Sequence, residues 1–402
     1  MIGLSMPLHA GVWDRDRPSD ESLPSVLDTI SGRYDSLPDT YYRARLERIE
    51  PQLAALRLLD LGQVPTPDQI FAVADALPLL DDAAVSRMRL GEYGDAIILL
   101  DWKSRLADAI RPERTATAKQ HSYRAVANKV ACLKRRWLSS PQPDPADLKQ
   151  ASELLEAALK DDPFNTDAQW ALIEIEWLKR GARYEPGADT VFPNLLGLKD
   201  ASFAGERSES ALARNKVSGC IQALLRQISY GRELDVDLMY ALSLALTLSG
   251  RNEEAIMAWL CICDLIDDGA TSRVAGAPAS KRLKQLLGVH LGNLEEREAA
   301  EKVYRDLCSK AENWRESRLK YLKEGLEAGR HPDTAPAFWS GWTLADKGLP
   351  QPGRPETKPD PIVSTTLLVG GIGGLLVVLL LLLGISVFLG KRTAPPPSID
   401  EL

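Results

Sequence analysis

Histidine and cysteine are scarce in this chain of 402 residues, with four of the first and five of the second. His9, His121, His290 and His331 are isolated. None forms a His-Glu-x-x-His pair that would hold zinc on one helix face. Cys132, Cys220, Cys261, Cys263 and Cys308 are too few and too uneven for a disulfide framework, and suit free thiols in a reducing compartment. Cys261 and Cys263, two apart on a helix, diverge by ~200° and do not converge on a metal. A phosphate-cradling glycine loop, a Gly-x-Ser-x-Gly elbow and a kinase-type motif set are also missing. Among 56 acidic residues no catalytic pair stands out. The chain is expected to be no enzyme and to need no cofactor or metal. Residues 1–10 have no basic start and no sustained apolar run, so no secretory signal is visible and the bulk of the chain is expected in the cytoplasm.

Charge is missing from one stretch. Ile362 to Gly390 is 29 consecutive residues without Asp, Glu, Lys or Arg, and Leu375 to Leu383 is unbroken Leu and Val. About 20 apolar residues suffice to cross a ~30 Å hydrocarbon core, so 362–390 is expected to be a transmembrane helix near the C-terminus, a tail anchor. Lys and Arg on its two sides nearly balance and do not fix its orientation. Gly370 and Gly374 fall four apart on one face, where two helix backbones can approach closely, so the anchor is a candidate homodimer contact. The whole chain carries 49 basic and 56 acidic residues, a net charge of −7, which argues against a general nucleic-acid binder.

The rest reads as all-α. Thr66-Pro67-Asp68-Gln69 is a capping box with Pro at the first helical position, and Pro78 is expected to close the helix that it opens. Tyr123, Val126, Val130, Leu133 and Trp137 form one apolar helical stripe. The chain divides into an N-terminal arm (1–21), helical repeat-like regions (22–180 and 210–330), a loop-rich insertion (181–209), a Pro-rich stalk (331–361), the span (362–390) and a polar tail (391–402). Phe338, Trp339 and Trp342 stand where they could pack on the last helices or meet lipid headgroups.

Ala151, Leu155, Ala158 and Pro163, followed by Trp170, outline a helix–turn–helix unit of about 34 residues. Gly250, Ala255 and Trp259 repeat the inter-helix turn and its small-then-large packing pair, as do Gly91 and Ala96. In this spacing Gly ends one helix, Ala lets its partner approach, the large residue fills the groove and Pro stops the second helix. The pattern resembles the tetratricopeptide repeat, in a degenerate and unevenly spaced form compatible with a solenoid or a bundle. That resemblance implies a concave surface for a peptide or protein. The matching positions are structural, and no ligand-contacting residue carries over.

One basic cluster interrupts the acidic body. Between Arg111 and Arg136 lie eight basic residues and a single acid, Glu113. Arg124, Lys129, Lys134, Arg135 and Arg136 are the candidate patch for an anionic partner. A five-residue recurrence turns by ~140° per step and scatters the charge around a helix, so neighbouring acids are the expected partners. The leading expectation is a membrane-tethered scaffold that presents a helical-repeat body to a cytoplasmic protein or peptide. The alternatives are a membrane-bound enzyme or signalling domain without a readable motif, and anionic lipid or nucleic-acid binding through 111–136.

Overall fold

The computed structural model describes residues 24–34, 37–58, 66–181, 194–196, 217–231, 234–273, 281, 283–284, 294–335 and 337–342. The chain divides into two compact units, Met1–Pro355 and Glu356–Leu402. The second unit, which includes Gly370, Gly374, the expected span and the tail, lies outside the described residues, as does the arm 1–21. Among the described residues no helix is long and apolar enough to cross a membrane.

These residues form eleven α-helices and no strand. They are α1 (Val26–Ile30), α2 (Asp39–Arg57), α3 (Pro67–Arg89), α4 (Tyr93–Ala109), α5 (Thr115–Ser139) and α6 (Pro145–Asp161). There follow α7 (Thr166–Arg180), α8 (Val217–Gly231), α9 (Val236–Leu248), α10 (Asn252–Asp267), α11 (Leu294–Glu327) and a 3₁₀ turn at Phe338–Gly341. From α2 to α11 each helix packs on the next, and α3 also touches α5, a serial packing consistent with a helical repeat protein. α9 is its apolar centre, with eleven of thirteen residues buried.

Local signals explain the starts better than the stops. Thr66 Oγ1 accepts from the backbone N–H of Gln69 and the Gln69 side chain accepts from Thr66 N at 2.8 Å, the expected capping box. Pro78, however, does not end α3, which runs on to Arg89. A proline inside a helix costs about 3 kcal/mol. Leu77 and Leu80 are both fully buried beside it, each contributing roughly 1.5–3 kcal/mol, and together they outweigh the lost donor. The stripe Tyr123, Val126, Val130, Leu133 and Trp137 lies on α5 and faces the main core.

Distant parts of this unit are tied together. The short α1, opened by a Ser25–Asp28 capping box, packs on α8 and α10, far from it in sequence. Arg89 of α3 donates to the Gly231 carbonyl at 2.8 Å, and Arg135 of α5 donates to the same oxygen. Arg45 of α2, fully buried, holds Asp333 with two hydrogen bonds, Nε to Oδ2 at 2.8 Å and Nη2 to Oδ1 at 2.7 Å. Arg48 pairs with the same carboxylate, and the Tyr41 hydroxyl donates to it at 3.2 Å. His331 stacks on Tyr41, with ring centroids 4.8 Å apart. The described residues of 331–342, the start of the Pro-rich segment, therefore fold back onto α2 and α11, and Phe338, Trp339 and Trp342 pack there on the last helix. A bidentate buried ion pair and aromatic burial prevail over the extended preference of Pro332 and its neighbours.

Candidate functional site

A cavity of about 260 Å³ opens where the turn after α1 meets α11. Trp314, Arg318 and Leu322 line it from α11 at four-residue spacing, the repeat that places side chains one above another on a helix face. Gly329, at φ 70°, ends the chain's run along α11 and turns it back, with Arg330 N donating to Gly325 O at 2.9 Å. The returning 3₁₀ turn brings Trp339 to the rim. It is pinned there by Tyr321 Oη donating to Phe338 O at 2.9 Å and by Trp342 Nε1 donating to Ser317 Oγ at 3.2 Å. The opposite wall is Tyr34 and Leu37. The preceding turn is fixed by Arg315 Nη1, which donates to Gly32 O at 2.6 Å.

The cations of this site face inward. The Arg318 guanidinium lies 3.6 Å from the Trp339 ring centroid and 5.3 Å from that of Trp314. Arg315 is engaged by the Gly32 carbonyl. Glu312 and Glu316, one helical turn apart on the rim, are exposed and make no hydrogen bond or ion pair among the described residues. Trp314 is only 5% exposed, yet its Nε1–H has no acceptor there. A buried indole N–H usually finds one; this atom is sealed from the cavity, whose lining combines Tyr34 and Trp339 with two carboxylates and two guanidinium groups of balanced charge.

Two other polar clusters are enclosed. Asp81 of α3 pairs with fully buried Lys103 of α4 at 2.5 Å and accepts from Asn128 of α5 at 3.0 Å. Burial raises the Asp81 carboxyl and lowers the Lys103 ammonium, each against the pull of the other's charge. Burial, aided by the charges of Lys103 and Arg124, pushes His121 down to about 3, so it is neutral. In the second cluster, burial and then the Asp235 charge push Asp237 up to about 6, although Ser272 and the Arg273 backbone donate to it at 2.7 and 2.8 Å. Burial also raises Asp235, against the charge of Arg273. These groups knit helices together.

The expected repeat positions fall in inter-helix turns and on helices of the body. Gly91 and Gly250 adopt φ 80° and 74° in the α3–α4 and α9–α10 turns. Ala96, Ala151, Leu155, Trp170, Ala255 and Trp259 are buried. Ala158 is half-buried, and Pro163 lies exposed in the α6–α7 turn. The candidate basic patch is engaged within the body. Lys129 pairs with Asp101 at 2.6 Å, Lys134 with Glu174 at 2.8 Å, and Arg136 with Asp147 through two contacts at 3.0 and 2.5 Å. Arg135 binds the Gly231 carbonyl, and Arg124 is not free either. Among the described residues no cluster of three or more His, Cys, Asp and Glu could hold a metal. All five cysteines are free, and burial pushes the thiols of Cys132, Cys220 and Cys261 up to about 12, which makes them poor nucleophiles at neutral pH.

Sequence reasoning missed Tyr34, Trp314 and Arg318. One signal was available: Trp314, Trp339 and Trp342, three of nine tryptophans, crowd into 29 residues. What periodicity does not reveal is that Tyr34, far away in sequence, completes their pocket. No protein-family model matches the chain, and comparison with curated proteins and with solved structures returns no match.

Proposed function

We propose that the chain is a non-enzymatic, membrane-tethered scaffold whose tetratricopeptide-like helical body recruits a cytoplasmic protein partner. The observation that carries this reading is the serial packing of α2 to α11, each helix on the next, as in stacked helical hairpins that bury their faces against neighbours. The left-handed glycines at the Gly91 and Gly250 turns, each followed by a buried alanine, support the repeat assignment. The uncharged run 362–390 is the proposed single-pass anchor, and Gly370 and Gly374 would let two anchors pair. Tethering raises the effective concentration of whatever the body holds, to the mM range for short links. Nothing favours a nucleic-acid or lipid patch at 111–136, because its five candidate cations are already engaged.

The test is proximity labelling from the intact chain in its native membrane, beside a chain truncated after residue 361. The intact chain is expected to stay with membranes through alkaline extraction and to label a reproducible set of soluble proteins. Release of the intact chain by alkali would remove the anchor, and identical labelling by a soluble control would remove the scaffold role.

A further inference from the structure

We propose that the described return segment 331–342 is a strap with a proton-operated latch: neutral His331 holds it on α2, and a proton taken up by that ring releases it and uncovers Tyr41 and Tyr42.

The hydrogen bonds around the ring fix its charge state. The backbone N–H of Asp333 donates to His331 Nδ1 at 3.2 Å. A backbone N–H has no capacity to accept, so Nδ1 is the bare nitrogen of the ring. The proton of the neutral imidazole then sits on Nε2, which faces the Tyr41 carbonyl of α2 at 3.5 Å. Only the neutral ring satisfies both partners. An imidazolium would set a second N–H against that of Asp333. The ring has little freedom to turn away, because it is 7% exposed and stacked on Tyr41. The bond that a proton breaks is also the one that aims Asp333 at Arg45.

The charges around the ring oppose the proton as well. α2 presents Arg45 and Arg48, and the strap contributes Asp333, so one carboxylate already meets two guanidinium groups. Asp333 Oδ2 lies 3.6 Å from His331 Nδ1, but it accepts from Arg45 Nε at 2.8 Å and pairs with Arg48. Arg330, just before the ring, lies 5.9 Å from the centroid of Phe338. The neighbouring cluster receives Leu322 and Tyr321 from α11 and Leu90 from the end of α3. Burial, with the charges of Arg45 and Arg48, lowers the ring's pKa against the pull of Asp333 and the Tyr41 carbonyl.

The sign follows from linkage. A histidine that takes a proton more readily when undocked leaves docking undiminished above pH ~6.5 and weakens it as pH falls below that value. One proton accounts for up to about tenfold per pH unit. Asp333, held low by its arginines, loses its charge only below pH ~4, so the interval between isolates the histidine. Release exposes Tyr41 and Tyr42, which share a buried cluster with Leu322 and the strap's own Phe338. This latch goes beyond partner recruitment, and its failure would leave that reading intact, because recruitment is scored by labelling and the latch by local opening.

The test is amide hydrogen exchange on the full chain in detergent micelles, from about pH 7.5 to 4.5 and corrected for intrinsic rates, with peptides covering 331–342 and α9. Opening of 331–342 is expected to be constant above pH ~6.5 and to rise by up to about tenfold per pH unit below it. The α9 amides are expected to stay at least about tenfold better protected throughout, which marks the opening as local. His331→Gln keeps an accepting oxygen but takes up no proton, and its opening is expected to be flat across the interval. Histidine proton resonances give a second reading that does not need the variant to dock. The resonance missing from His331→Gln is expected to titrate below pH ~6.5 in the wild type. No rise in the wild type, or the same rise in His331→Gln, would overturn the latch. So would joint opening of α9 and 331–342, or a His331 resonance that titrates at its ordinary value.

Discussion

Burial and the neighbouring Asp235 push the Asp237 carboxyl up to about 6, against an ordinary value near 4 in the unfolded chain. A carboxyl whose folded pKa is raised contributes stability that is complete below pH ~4 and is lost as pH rises through 6. This site alone is expected to make the body more stable at pH 5 than at pH 7, by on the order of 1–2 kcal/mol. Urea denaturation at the two pH values should show it, and Asp237→Asn should flatten the difference. Asp333 has the opposite sense. Burial raises its carboxyl, but the Arg45 hydrogen bonds and charge, with those of His331 and Arg48, hold it below the usual range. Its contribution is therefore present above pH ~4 and disappears as pH falls further. At this scale the sequence was legible where chemistry is local, as at Gly91, Ala96, Gly250 and Ala255. It was silent on Asp81 and Lys103, because their pairing depends on how α3 lies against α4.

Among the elements, two left-handed glycines make contrasting tests. Gly250, at φ 74°, has open space around its missing side chain, so Gly250→Ala meets only backbone strain. About 1 kcal/mol of destabilisation is expected in a thermal melt. Gly32, at φ 73°, is different, because any side chain there would collide with the Arg315 guanidinium. Gly32→Ala should cost more than Gly250→Ala and should also loosen the Tyr34 wall of the pocket, visible as increased quenching of tryptophan fluorescence. Starts of helices such as Thr66-Pro67 were readable because a cap is a four-residue event. The end of α3 was not, because whether Pro78 stops a helix depends on what Leu77 and Leu80 bury against. The 34-residue α11 was obscured in the same way. No spacing signal marks its length, because what it packs on, α10 and the 331–342 return, is distant in sequence or lies past its end.

For the described body of the first unit, serial packing would normally let repeats unfold piecemeal, since each contacts chiefly its neighbours. The Arg45–Asp333 pair works against that by joining the second helix to the turn beyond the last. Removing one partner of a buried pair costs roughly 3–5 kcal/mol. Asp333→Asn is therefore expected both to lower stability and to split a single transition. The part of the tryptophan fluorescence that comes from Trp314, Trp339 and Trp342 should then fall at lower urea than the helical circular dichroism, whereas in the wild type the two should coincide. All-α class and serial hairpins were legible from spacing. Closure was not, because no periodicity links residue 45 to residue 333.

That closure also sets how the body bears load. Tension applied to the chain beyond Trp342 does not act first on a helix end. It meets the Trp342–Ser317 hydrogen bond, then the Phe338 packing on α11, and then the ion pair at Asp333. The described chain from 331 to 342 thus acts as a mechanical fuse. Pulled from its C-terminal side, it should give way as one early step of about 40 Å of released contour length, leaving the hairpins folded behind it.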